Sequence, residues 1–236
     1  MITHSDVFNN DTLNIFTDAS VYSEDRKWFA SCPGAICIIG NTIIDSNQFI
    51  VYDSTNNEGE IKAIRLGIYF ALKYRDKVKQ INLFSDSSIC IQGLNNWIYN
   101  WVNNISRNGV LFTNSNKPVA NQEIIKSIVS DIVSHDLHIN FYHVKGHVDI
   151  RKDEDICHAI KVFKTSNGLD IDYKLAKQIS YYNNTVDINT RNLLCNSNII
   201  SNTEMEKVIK RNINIKNLMK KFEENTRRNK YGSEII

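Results

Sequence analysis

Four acidic residues, Asp18, Glu60, Asp86 and Asp187, stand where strands or helices are predicted to end or begin. Carboxylates at the exposed ends of neighbouring strands meet at one edge of a sheet. Packed there without a cation they repel one another, and each resists ionisation. A divalent ion removes that cost. Hard oxygen donors with room left for water and a phosphate suit Mg²⁺, with Mn²⁺ as a substitute, and two such ions a few ångströms apart can activate a water and stabilise a departing 3′ oxygen. Each acid also has an ordinary reading. Asp18 and Asp86 fit turn or cap positions, and Glu60 and Asp187 fit the first turn of a helix, where the backbone dipole favours an acid. Only the joint pattern separates the two readings.

The elements that must carry these residues follow from periodicity. Leu13 to Thr17 alternates apolar and polar and predicts a strand closed by Asp18, followed by a loop through Ser23 to Arg26. Gly34 to Ile39 and Thr42 to Tyr52, separated by Gly40-Asn41, predict a hairpin. From Asn57 the spacing turns helical, with Ile61, Ile64, Ile68 and Ala71 on one face, and Glu60 falls in its first turn. Lys79 to Ser85 is a fourth strand closed by Asp86, and Leu137 to Val144 a fifth, ending at Lys145-Gly146-His147. Short helices are predicted around Ser87 to Gln92 and Asn95 to Asn104, and a longer one from Pro118 and Asn121 to Ser134. Three strands, a helix, a strand, helices and a strand predict an α/β fold with a mixed five-stranded sheet flanked by helices. Asn184 to Cys195 reads as a further helix beginning near Asp187, and Thr203 to Asn229 as a long amphipathic one.

At 236 residues, with ten Phe, ten Tyr and three Trp, the chain can bury one good core. No apolar run reaches membrane-spanning length and the N-terminus has no leader pattern, so a cytoplasmic protein away from membranes is expected. The five cysteines lack a C-x-x-C pair and read as free thiols. His143, His147, Cys157 and His158 contain two His four apart, but the interval crosses a strand end and Gly146, so no closed zinc site is expected. The formal charge of +2 hides a basic stretch, Lys207 to Lys230. Such a stretch suits nucleic acid, a protein partner bound through a C-terminal helix, or a solvated helix face.

Ile15-Phe16-Thr17-Asp18-Ala19-Ser20, Thr55-Asn56-Asn57-Glu58-Gly59-Glu60, Phe84-Ser85-Asp86-Ser87 and Val144-Lys145-Gly146-His147 occur in that order. Together they resemble the successive motifs of ribonuclease H type 1. The resemblance extends to Gln92-Gly93-Leu94-Asn95-Asn96-Trp97-Ile98, similar to a helix bearing a Trp beside the substrate, and to Asn116-Lys117-Pro118-Val119, similar to the end of a substrate-binding handle. It implies a ribonuclease H-like fold and an endonuclease that cuts the RNA strand of an RNA–DNA hybrid with two Mg²⁺ ions. On this resemblance Asp18, Glu60 and Asp86 are metal ligands, and His147 assists water activation or product departure. Asn56 and Asn57 contact the minor groove of the hybrid, where 2′-hydroxyls mark RNA. Thr55 holds a DNA phosphate, Trp97 either packs on a deoxyribose or is ordinary core, and Gln92 is a further contact.

The sequence departs from the family in two places. The fourth ligand lies about ten residues after the histidine in the family, and that position here is Cys157. Asn183-Asn184-Thr185-Val186-Asp187 resembles the family's closing helix and selects Asp187 as a ligand, with Asp155 the runner-up. This choice makes residues 149–180 an insertion, a flap near the site, within a domain spanning 10–195, and 196–236 a basic helical extension. The handle, Asn103 to Lys117, carries only Arg107 and Lys117, so the basic extension is the candidate source of phosphate contacts. If the fourth carboxylate is missing, the rival reading is a non-catalytic module binding nucleic acid or a protein partner. A DNA-processing or integrase-like nuclease would lack both the Asn56-Asn57 pair and the Val-Lys-Gly-His ending.

Overall fold

The computed structural model describes residues 1–24 and 28–197, and Met1–Leu194 forms one compact unit. The predicted helix over Thr203 to Asn229 and the basic stretch Lys207 to Lys230 lie outside the described residues. Among the described residues no helix is long and apolar enough to cross a membrane.

A short helix, α1 (His4–Val7), precedes strands β1 (Thr12–Glu24), β2 (Trp28–Ile39), β3 (Thr42–Gln48) and β4 (Val51–Tyr52). Helix α2 (Asn56–Tyr74) leads to β5 (Gln80–Ser85), and α3 (Ser88–Gln92) runs through a π-helical turn at Gly93–Trp97 into α4 (Ile98–Asn103). Helix α5 (Gln122–Ser134), strand β6 (Ile139–His143), and helices α6 (Asp153–Asn167) and α7 (Tyr173–Asn196) follow. The sheet order is β3-β2-β1-β5-β6, with β4 beside β2. β1, β5 and β6 are parallel to one another, while β2 is antiparallel to β1, β3 and β4. The third predicted strand is thus two pieces, because after a last bond from the Phe49 N–H to the Pro33 carbonyl the chain breaks the ladder at Ile50 before β4 rejoins β2 opposite Ala30 and Ser31.

Period-two alternation gives the central strands two buried faces. Leu13, Ile15, Ile81 and Leu83 pack with Ile61, Ile64 and Ile68 of α2 and with Ile125 and Ile128 of α5. On the other face Phe16, Ile36, Ile38 and Phe84 pack with Ile156 and Phe163 of α6 and Leu175, Ile179 and Val186 of α7. Residues 149–180 are therefore not a flap: they hold α6 and the first turns of α7, whose apolar faces close this second core. The missing signal was helix length. The 24 residues of α7 are amphipathic over their whole run, including the polar stretch Tyr173 to Asn183.

Cross-strand register carries the second face toward the site. Asn14, Asn82 and Asn140 stand side by side, and two residues on so do Phe16, Phe84 and Tyr142. The rings stack, Phe16 on Phe84 at 4.7 Å and Phe84 on Tyr142 at 5.3 Å between centroids. Two residues further along β1 and β5 the count reaches Asp18 and Asp86.

Candidate active site

The parallel pairing of β1 with β5 ends at Thr17 and Ser85. Asp86 is the first residue past β5, as expected, whereas Asp18 does not close its strand: β1 continues to Glu24 in a long hairpin with β2. Asp18 is mid-strand, at the point where its neighbour β5 stops. Glu60 is the fifth residue of α2, one position deeper than expected, because Thr55 caps the helix by accepting the Glu58 N–H at 3.3 Å and Asn56 begins it. Close approach of α2 to the sheet brings Glu60 in. A Cβ on Gly59 would come within 2.8 Å of the Ser31 Cβ, so only glycine lets the helix sit this low.

One carboxylate oxygen from each of Asp18, Glu60 and Asp86 lies within 4.8 Å of the others. This is the carboxyl end of parallel strands, where α/β sheets place their sites. Asp18 and Glu60 are buried. Burial, then the charges of Asp86 and Asp187, push the Asp18 carboxyl up to about 8. Burial, then Asp18 and Asp86, push Glu60 up to about 9. Asp86 is also raised by burial, against the opposing pull of His147 and of the Asn183 amide. Three acids that resist ionisation together, with Glu60 Oε2 buried and lacking any partner, are the donor set a hard divalent cation satisfies. The residues fit Mg²⁺ or Mn²⁺.

Asp187 stands at the rim. It does not join the oxygens within 4.8 Å, yet its charge acts on Asp18 and Asp86. It lies far along α7 rather than near a helix start. Both its oxygens accept from Arg191 Nη2 at 2.7 Å, and its Oδ2 is 3.4 Å from His147 Nδ1. His147 is exposed and has a left-handed backbone, φ 52°. Asp155 is occupied elsewhere, accepting the Asp149 N–H at 3.0 Å.

A sequence profile of the RNase H family matches residues 10–160, well over half of the chain. The chain belongs to the RNase H family. Ribonuclease HI of Haemophilus influenzae is 34% identical over 106 residues, which are 45% of this chain and 61% of that protein. Ribonuclease HI of Pasteurella multocida is 33% identical over 140 residues, 57% of this chain and 78% of that one. The chain thus spans about three fifths of the length of the first of these relatives. The solved PFV RNase H domain aligns at 20% identity and a TM-score of 0.49 over 68% of this chain and 96% of that domain. The RNase H match includes Asp18, Glu60, Asp86, His147 and Asp155 but stops before α7 and Asp187.

Around this RNase H cluster the remaining expected residues spread over one side. Asn57 and Trp97 line a cleft of about 160 Å³ with Ile89, Trp101 and Val119. Trp97 keeps 37% of its surface exposed, while Trp101 packs against the core. Asn56 is exposed in the first turn of α2, and Gln92 is exposed at the end of α3, outside that cleft. The Thr55 hydroxyl is already used as a helix cap. Three residues were missed. His143 Nε2 donates to the Asp86 carbonyl at 3.2 Å, Arg191 pairs with Asp187, and Asn183 faces Asp86. The Asp187–Arg191 pair was readable from its four-residue spacing on a helix. The other two needed tertiary structure.

Proposed function

We propose that this chain is a metal-dependent endoribonuclease that hydrolyses the RNA strand of RNA–DNA hybrids to 5′-phosphate and 3′-hydroxyl ends. The observation that carries this reading is the trio Asp18, Glu60 and Asp86, mutually within 4.8 Å, in a chain of the RNase H family. Bound there, two Mg²⁺ ions, or Mn²⁺ in their place, would supply a Lewis acid and lower the pKa of an attacking water. Asp18, Glu60 and Asp86 hold the cations, and Asp187 serves as the fourth carboxylate. His147, exposed beside Asp187, moves a proton at Nδ1. Asn56 and Asn57 read the minor groove of the hybrid, Trp97 packs on a deoxyribose beside them, and Thr55 and Gln92 add contacts along the strands.

Residues 10–195 act as the catalytic domain in this reading, with 149–180 as its inserted segment. The basic residues of 196–236, among them Lys207, Lys210, Arg211, Lys220 and Lys221, supply phosphate contacts that the handle lacks. Five free thiols, three of them buried, fit a reducing cytoplasmic setting. The bidentate Asp187–Arg191 pair favours a second reading, a non-catalytic module that binds hybrid without cutting it.

A substrate panel separates the two. Incubated with Mg²⁺, the protein is expected to cut the RNA of a labelled hybrid and to leave duplex DNA, duplex RNA and single-stranded RNA intact. Binding of the hybrid without cleavage under Mg²⁺ or Mn²⁺ would replace the hydrolase with the binding module.

A further inference from the structure

Asp86 is the most exposed carboxylate of the cluster. Asp18 sits mid-strand, paired with Gly34 of β2, and its Oδ1 accepts the Ala19 N–H at 2.7 Å. Glu60 is buried on α2 above the sheet. Asp86 lies one residue beyond β5 and is only part-buried. Its backbone is fixed, because its carbonyl accepts from His143, whose Nδ1 is 2.8 Å from Ser166 Oγ of α6. Its carboxylate is bounded on one side by Gly146, where an added Cβ would collide with Oδ2.

The other neighbour is Asn183 of α7. This side chain is 1% exposed, and both its amide oxygen and its amide nitrogen are buried without a well-aligned hydrogen bond. A buried amide with both ends unsatisfied calls for a reason. The helix that carries it is anchored on each side. Asn184 Nδ2 donates to the Val148 carbonyl at 2.7 Å, and Thr190 Oγ1 lies 2.8 Å from Ser20 Oγ. Asn183 lies one helical turn before Asp187, whose Oδ2 is 3.4 Å from His147 Nδ1, and His147 follows the Gly146 that bounds the Asp86 carboxylate. The amide also lies close enough to draw the Asp86 carboxyl down against the effect of burial. A neutral donor can turn a carboxylate without competing for it as a cation, and such partners are what aim ligands at metal ions.

We propose that Asn183 is the positioning residue for Asp86: its amide N–H donates to one carboxylate oxygen and leaves the other facing the cation site shared with Asp18 and Glu60. This rests on reading the trio as a divalent-cation site.

The test is calorimetric titration of Mn²⁺ into the full chain, with melting temperatures measured in parallel. Asn183→Ala deletes the amide, and Asn183→Leu deletes it while filling its space, so one variant covers for the other if it fails to fold. Mn²⁺ binding is expected to weaken about tenfold in the folded variants, with the Leu variant melting no lower than wild type. A purely structural residue would give the reverse, a lower melting temperature and intact affinity. Wild-type Mn²⁺ affinity in either folded variant overturns the proposal, and so does a wild-type chain that binds no Mn²⁺. A wild type that binds Mn²⁺ yet cuts no hybrid removes the proposed hydrolase and leaves this inference standing if the variants lose affinity.

Discussion

At the scale of single residues, the clustered acids are held against their own repulsion, and that has a sign in pH. An unfolded carboxyl titrates near 4, whereas Asp18 and Glu60 titrate at about 8 and about 9. Between those values the folded chain holds more protons than the unfolded one, so stability falls as pH rises from about 4 toward 9. In chelator, the melting temperature is expected to drop from pH 5 to pH 8. Glu60→Gln flattens that slope, and so does saturating Mg²⁺, which binds the ionised set. A slope identical in wild type and Glu60→Gln would mean the acids are not what titrates. Gly146→Ala tests crowding: its methyl group displaces the Asp86 carboxylate, and hybrid cleavage is expected to fall at least about tenfold. Asp18, Glu60 and Asp86 were legible because each sits inside a short motif tied to an element boundary. Asn183 stands in the closing motif with Asp187, but its role was not legible, because a polar residue on a helix carries no sign of which neighbour it will face.

At the scale of elements, the ladder Asn14–Asn82–Asn140 sets the register that delivers Asp18 and Asp86. Asn140 Nδ2 donates to Asn82 Oδ1 at 3.1 Å, and Asn82 Nδ2 donates to Asn14 Oδ1 at 3.0 Å. Asn14 Nδ2 in turn donates to the Val7 carbonyl at 2.8 Å. A one-residue slip of β5 would break this chain of bonds and the aromatic rung beside it. Asn82→Ala leaves a buried acceptor on one side and a donor on the other, so it is expected to cost about 2 to 3 kcal/mol. Urea denaturation measures this as a lower midpoint at unchanged slope. The strands were readable from alternation and the first long helix from its apolar face. Helix α7 was read only in its second half, since the exposed Tyr173, Lys174 and Lys177 mask buried Leu175, Ala176 and Ile179 between them. The same misreading put Asp187 near a helix start.

At the scale of the whole molecule, the proposed hydrolase draws much of its positive charge from outside its catalytic unit. The handle is poor in Lys and Arg, and the basic residues gather between Lys207 and Lys230. Deleting residues 203–236 is expected to weaken hybrid binding at low salt and to make its dependence on salt shallower, as fewer counterions are released. An unchanged slope in filter-binding or anisotropy titrations would place the phosphate contacts within residues 1–202 instead. The basic bias was plain in the sequence, but its role depends on the bound nucleic acid, which composition does not encode. The central claim is that the carboxylate trio holds the cations that cut RNA in a hybrid. Its most direct test is cleavage of a 5′-labelled hybrid across a Mg²⁺ titration, comparing wild type with Asp86→Asn. Wild type is expected to cut the RNA strand only when Mg²⁺ is present, and Asp86→Asn to lose at least about a hundredfold in rate, the scale of losing one stabilising group at a reacting centre. Cleavage by Asp86→Asn at the wild-type rate, or cleavage by wild type in chelator, would contradict the account.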